Sequence, residues 1–213
     1  MAWVSLGPLM VYIAKAMNIP VEQKLTLVAI PVLSGAILRI PMGILADTIG
    51  SKLTGTIAQV VTTIACGYVW MFGLSGPGAV AVFGAILGLG GASFSVALPQ
   101  ASRWYPPHLQ GVVMGIAGAG NMGVVLDTLF APTIAEHFGW QGVYAALLIP
   151  MVIILAIYVL TVKDAPGSVK RIPLSAYGTL LLDTDSRWIM FFLRGLRDWG
   201  RQPLHFLLQK NSA

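Results

Sequence analysis

The run GVVMGIAGAGNMGVVLDTLFAPTI, residues 111–134, contains the spacing G-x-G-x-x-G at Gly118, Gly120 and Gly123. In soluble α/β enzymes this spacing cradles a dinucleotide pyrophosphate when it follows a β-strand, opens a helix and is trailed about 20 residues later by an acidic residue for the ribose. That context is missing. No turn-bounded strand precedes the glycines, the apolar run is of membrane length, and the next acidic residue is Asp127, only four positions past Gly123. Gly111, Gly115, Ala119 and Gly123 instead recur every four residues, which stacks small groups on one helix face and lets a second helix approach at short backbone distance. Gly84, Gly88 and Ala92 repeat the pattern on the preceding segment. The stretch reads as a membrane helix whose glycines serve chiefly for packing.

Composition points the same way. Of 213 residues, 56% are hydrophobic and 10% charged, whereas soluble domains carry roughly a quarter charged residues. Between Leu25 and Val162 the only Asp, Glu, Lys or Arg residues are Arg39, Asp47, Lys52, Arg103, Asp127 and Glu136, too few to cover a soluble surface. The formal net charge of +5 does not mark a nucleic-acid partner, because the basic residues form no stripe and many follow Val162. Cys66 is the only cysteine, and His108, His137 and His205 are scattered, so neither a disulfide framework nor a metal site is expected. No carboxylate pair, nucleophile–base set or metal cluster points to an enzyme, and no cofactor is expected.

A bilayer core about 30 Å thick takes about 20 apolar residues at 1.5 Å each. Five segments meet that length, at residues 25–46, 53–74, 78–101, 111–134 and 140–162. Ahead of them, AWVSLGPLMVYIA offers about a dozen apolar positions before Lys15, too few to cross. It reads as a first helix lacking its beginning, since no basic region precedes it and no small-residue cleavage site follows. Lys52, Arg103, Lys163, Lys170 and Arg171 collect on one side of the membrane and only Lys15 and Lys24 on the other, which puts the N-terminus in the cytoplasm. Residues 163–185 then form a cytoplasmic loop. A seventh span starts at residues 186–193 and is stopped by Arg194, Arg197, Asp198 and Arg201. A shift of reading frame near Leu193 would account for that change and for an aberrant, non-membrane tail to residue 213.

Three residues inside the apolar segments are expensive to keep there or stand at their level. Arg39 lies within LVAIPVLSGAILRIPMGILA, where an unpaired guanidinium costs about 2.5 kcal/mol on insertion scales. It sits about seven residues, or 10 Å, from the inner end of its helix, deep for snorkelling. Structural pairing with Asp127 is one reading; an anion site is the other, because the planar fork donates two parallel hydrogen bonds to a small planar oxyanion. The Asn121 amide likewise needs partners, and sequence serves an interhelical bond and an anion contact equally. Phe94 ordinarily reads as core, yet by helix rise Arg39, Phe94 and Asn121 all fall roughly 10 to 15 Å from the same membrane face. At the inner hairpin GILADTIGSK, Asp47 begins the loop, Gly50 allows the turn and Lys52 enters the next helix, an arrangement that can hold two helix ends by charge and backbone hydrogen bonds.

GILADTIGSK resembles the loop between helices two and three of the major facilitator superfamily, patterned G-x-x-x-D-x-x-G-x-[RK]-[RK], with Ser51 in place of the first basic residue. AGAGNMG, residues 117–123, is similar to the nitrate signature on the fifth helix of the nitrate/nitrite porter family, and SGAILRIPMGILAD, GGASFSVALP and FGWQGVYA resemble that family too. The resemblance implies an all-α membrane protein, the N-terminal six-helix bundle half of a nitrate or nitrite transporter working by alternating access, set in the lipid bilayer of a bacterial inner membrane. It assigns Arg39 to the substrate oxyanion, Asn121 with Gly118, Gly120 and Gly123 to the substrate-facing signature, and Phe94 to an aromatic wall. Gly43, Asp47, Gly50 and Lys52 would form a conformational loop. The family's second arginine and second signature, carried in its C-terminal half, do not occur here. A C-terminal half supplied by another chain would complete the transporter, and a fragment inactive alone is the other expectation. A porter for another small anion, or a half whose only activity is association, stays open.

Overall fold

A computed structural model of the chain describes residues 2–165, within one compact unit, Met1–Lys170. The seventh span, the tail and all but the start of the 163–185 loop lie outside the described residues.

Every regular element among the described residues is helical: α1 Leu6–Met17, α2 Val21–Ile49, α3 Ser51–Phe72, α4 Pro77–Ala92, α5 Phe94–Ser102, α6 Pro107–Gly118, a 3-10 turn Ala119–Asn121, and α7 Met122–Thr161. Four stretches are long and apolar enough to cross a membrane: Val21–Ile49, Ser51–Phe72, Pro77–Ser102 and Pro107–Thr161. The last is too long for one crossing. It is divided at Gly139, whose φ of 73° lies in the left-handed region that favours glycine. The two legs of α7, residues 122–138 and 140–161, feed one core, Ala131 and Ala135 from the first, Val143, Tyr144 and Met151 from the second.

Helix α1 is short but central. Leu6, Leu9 and Ile13 are fully buried at i, i+3/i+4 spacing that puts them on one stripe, and α1 packs against α7 and α2. On the far side of that core, Phe83 of α4 meets Tyr144 edge to face at 5.1 Å between ring centroids. The helices' outward faces carry exposed Leu25, Ile37, Ile64, Trp70 and Ile149, as surfaces solvated by lipid tails require.

The most extensive packing is between α2 and α4, and small residues make it possible. A Cβ on Gly88 would lie 2.7 Å from the Gly35 backbone nitrogen and 2.8 Å from the Pro31 carbonyl oxygen. Gly84 abuts the Pro31 ring in the same way. The expected small-residue packing is therefore present on α4. It is absent from the α6 part of the other stripe, where a Cβ on Gly111 or Gly115 would meet nothing within 4 Å and α6 buries no residue among those described, although Gly123 at its far end is buried. The 111–134 segment also departs from one continuous helix, because its glycine-rich centre tightens into the 3-10 turn Ala119–Asn121. Glycine's poor helix propensity permits that change of winding.

These contacts separate two kinds of glycine. Gly88→Ala should lower the unfolding transition of the chain in detergent, by about 1–3 kcal/mol, since backbone atoms cannot swing away from the added methyl. Gly115→Ala should leave it unchanged or raise it, a comparison read directly from thermal melts.

Candidate functional site

At one end of the bundle the helices are tied by a polar clasp around the α2–α3 corner. Ile49 ends α2 and Ser51 begins α3, so one residue, Gly50, must reverse the chain, and its φ is 100°. The exposed backbone N–H groups at the start of α3 attract an acceptor. Asp164, just past the end of α7, supplies it: the Lys52 backbone N–H donates to Asp164 Oδ1 at 2.8 Å. A Cβ on Gly50 would come within 2.7 Å of the other oxygen, Asp164 Oδ2, so the missing side chain makes room for the carboxylate. Asp47, on the last turn of α2, accepts from Arg103 Nη2 at 2.8 Å, which joins α2 to the end of α5. Tyr158 Oη donates to Gln100 Oε1 at 2.9 Å and lies 3.4 Å from the Ser51 carbonyl oxygen. Gly55 leaves space for that hydroxyl, since a Cβ there would sit 2.5 Å from it.

Of the four loop residues, Asp47, Gly50 and Lys52 are thus in one network, Lys52 through its backbone rather than its ammonium. Gly43 stands apart, inside α2 with open space at its Cβ position. Sequence reasoning missed Asp164, Tyr158 and Gln100 and used Arg103 only for orientation. An acidic residue just after the end of the last long apolar segment was the available signal for Asp164; nothing in spacing announces Tyr158 or Gln100.

The deeper residues are disposed differently. The buried positions of α2 are Leu27, Pro31, Gly35, Met42 and Ala46; at 100° per residue Arg39 lies at the edge of that stripe, away from the face carrying Leu33 and Ile37. Its side chain is exposed from the bundle, and among the described residues no carboxylate pairs with it. The pairing of Arg39 with Asp127 does not occur: Asp127 is buried elsewhere, with neither carboxylate oxygen hydrogen-bonded. The Arg39 carbonyl oxygen accepts from Ser95 Oγ at 3.3 Å, so half-buried Phe94 is one residue from a direct link to Arg39's helix.

In the glycine-rich motif, Gly118 ends α6, Gly120 and exposed Asn121 occupy the 3-10 turn, and Gly123 is buried at the start of α7. Gly120 lines a cavity of about 260 Å³ together with Gln59, Thr62 and Ser93. Neither α6 nor the turn has a packed interface with α2. Arg39 and Phe94 are therefore neighbours through α2 and α5, while among the described residues the 3-10 turn that holds Asn121 has no packed interface with α2 or α5. Chemically, Arg39 offers guanidinium donors not committed to the described chain, and the hydroxyl and amide groups around Gly120 offer a second polar surface.

The chain matches the family model of the Major Facilitator Superfamily over residues 1–207, and it belongs to that superfamily of multi-pass membrane transporters. The match runs past Leu193. Two curated relatives from Staphylococcus aureus carry the printed name "Probable nitrate transporter NarT": the chain is 31% identical to that of strain MRSA252 over 176 residues and 32% identical to that of strain JH9 over 179 residues. Each alignment covers 83% of this chain and 44% of the relative, so the chain spans less than half the length of these relatives.

The clasp has a measurable consequence. Asp164→Asn keeps the shape but removes the charge facing the α3 N-terminus, and should destabilise that corner by about 1 kcal/mol. Hydrogen exchange of the first-turn amides of α3 should quicken while that of the α1 core stays protected.

Proposed function

We propose that the chain forms the substrate-facing N-terminal half of a nitrate or nitrite porter of the inner membrane, with its N-terminus in the cytoplasm. The observation that carries this reading is Arg39: a fixed cation within a membrane-length helix, at the edge of its packed face, without a carboxylate partner among the described residues. A cation in that position is tolerated when an anion can neutralise it. A planar oxyanion fits the guanidinium fork, and both relatives' names support nitrate as that anion.

In this reading Arg39 binds the oxyanion, Phe94 walls the site beside it, and Asn121 adds an amide donor from the 3-10 turn. Gly118, Gly120 and Gly123 keep the fifth crossing slim and easily rewound, so that Asn121 can approach the anion as the halves rock. Gly43, Asp47, Gly50 and Lys52 hold or release the inner end. No bond is made or broken in the substrate; selectivity is a matter of charge and shape. The facing surface is a C-terminal half, in the same polypeptide or a second one.

Nitrate counterflow into proteoliposomes holding the complete transporter tests this. Arg39→Ala should lower it about tenfold or more, as expected for loss of charged hydrogen bonds worth about 1.5–3 kcal/mol. Arg39→Lys should also fall well below the parent, because a point charge lacks the paired donors. Undiminished nitrate exchange in Arg39→Ala would remove Arg39 from the substrate role, and exchange of another anion in preference to nitrate would change the substrate.

A further inference from the structure

Three breaks in regular helix bonding meet at one cavity. The stretch Pro77–Ser102 passes from α4 to α5 at Ser93, and the 3-10 turn Ala119–Asn121 separates α6 from α7. Further along α7, Pro150 has no N–H to give the Ala146 carbonyl one turn earlier. Ser93, Gly120 and Pro150 all line the cavity of about 260 Å³ that also touches Gln59 and Thr62. A second cavity of about 100 Å³ shares Gln59, Ser93 and Ile154 with it and extends to Gly55 and Tyr158. On α3 the wall is a stripe of small or polar residues, Gly55, Gln59 and Thr62, continuing from Ser51 at the three-and-four spacing of one helix face. The two cavities thus adjoin, and the smaller ends at Tyr158, whose hydroxyl also meets the α2–α3 corner.

The wall chemistry selects an occupant. Each lining hydroxyl has committed its proton: Thr62 Oγ1 donates to the Ala58 carbonyl at 2.8 Å, Ser93 Oγ to the Gly90 carbonyl at 2.6 Å and Tyr158 Oη to Gln100 Oε1 at 2.9 Å. Their oxygens remain as acceptors. Behind Tyr158, Gln100 is 7% exposed and its Nε2 is a buried donor without a partner. A deprotonated oxyanion would find only the Gln59 amide to accept from. No carboxylate lines either cavity, and a hard cation needs a fuller shell of oxygens than these walls present. Water, which both donates and accepts, matches them.

We propose that the two cavities form one hydrated seam inside the bundle, holding ordered water from the Gln100–Tyr158 pair to Gly120, and that this water lets the glycine-rich turn change its winding. At ~30 Å³ per molecule the larger cavity takes roughly eight waters and the smaller about three. An apolar cavity of similar size stays dry; polar walls with several partners per molecule fill it. Backbone that leaves regular helix bonding at membrane depth persists where protein buries it or where it lines a water-filled space. Protein does not bury this turn: Gly120 is exposed and α6 buries no residue among those described. Passing from 3-10 to α winding moves each N–H from the third carbonyl back to the fourth, and water can hold the released groups during the exchange. The change of winding rests on the porter reading above; the hydration does not.

Two measurements separate them. Brief X-ray radiolysis of the whole chain in lipid nanodiscs makes hydroxyl radicals from water where it is bound, and methionine records them as sulfoxide. Met151 lines the larger cavity at 8% exposure, while Met10 and Met42, at 4% and 6%, lie in the apolar clusters away from it. Met151 should oxidise about fivefold or more faster than either, and rates equal within about twofold would overturn the hydration. Thr62→Val with Gln59→Leu should bring the Met151 rate down to that of Met10, with Met10 and Met42 unmoved as the sign of an intact fold; a Met151 rate unaffected by the pair would overturn the assignment to these walls. Ser93→Ala, a milder change, repeats the comparison should the double variant unfold. In proteoliposomes of the complete transporter the double variant should slow nitrate counterflow at saturating nitrate about threefold or more and leave the half-saturating concentration within about twofold, since it dries the turn and touches no substrate group. Full-speed exchange in the dried variant would overturn the role in rewinding. A parent that exchanges no nitrate would instead defeat the porter reading, with the radiolysis result still deciding the hydration.

Discussion

Hydrocarbon offers no hydrogen bonds, so each polar group that enters it must be satisfied by the chain or by cargo. Much of the described structure follows from that constraint. The hydroxyls of Thr54, Thr62, Thr63 and Thr128 each donate back to the carbonyl one turn earlier on their own helix, which hides them from lipid without help from a neighbour. The α2 and α4 backbones approach across Gly35 and Gly88, gaining van der Waals contact where the hydrophobic effect between helices is weak. Against so thorough a settlement, Arg39 on the outer edge and Asp127 in the interior stand out. One is a cation open to whatever faces the bundle; the other is a carboxylate enclosed within it.

The end of the bundle at the α2–α3 corner obeys different physics. Near the membrane surface, charged side chains can be partly hydrated, and the clasp of Asp47 with Arg103 and Asp164 with the Lys52 amide joins four helices through a handful of polar contacts. Bonds of this kind hold a conformation yet exchange readily for water. The apolar crossing of α2 with α4 does not exchange in that way. The bundle is thus closely packed at the glycine crossing, tied by polar contacts at one end and interrupted by a 3-10 turn between α6 and α7, the parts on which the proposed rocking would act.

Helix content, the Gly84–Gly88 packing face and the membrane class were all legible in sequence. They depend on local quantities: apolar length, residue size and period. Arg39 and Asn121 could be singled out for the same reason, since a polar group amid twenty apolar neighbours is conspicuous wherever it points. Where it points was not legible. Gly111 and Gly115 show the same period as Gly84 and Gly88, yet they face open space, because periodicity marks a face and not the partner that covers it. Asp127 paired on paper with Arg39 as the nearest opposite charge in the membrane; in the fold they face different surroundings.

Sequence by itself therefore determined that this chain lives in a bilayer as a bundle of helices, and that a guanidinium and an amide stand out inside its apolar segments, since hydrophobic length and helical rise are properties of a segment. Tertiary structure decided which small residues touch, that Asp164, Tyr158 and Gln100 meet at the α2–α3 corner, and that Asp127 is enclosed in the bundle while Arg39 is not. Those outcomes turn on how helices distant in sequence rotate about their own axes as they pack, and no local pattern encodes that rotation.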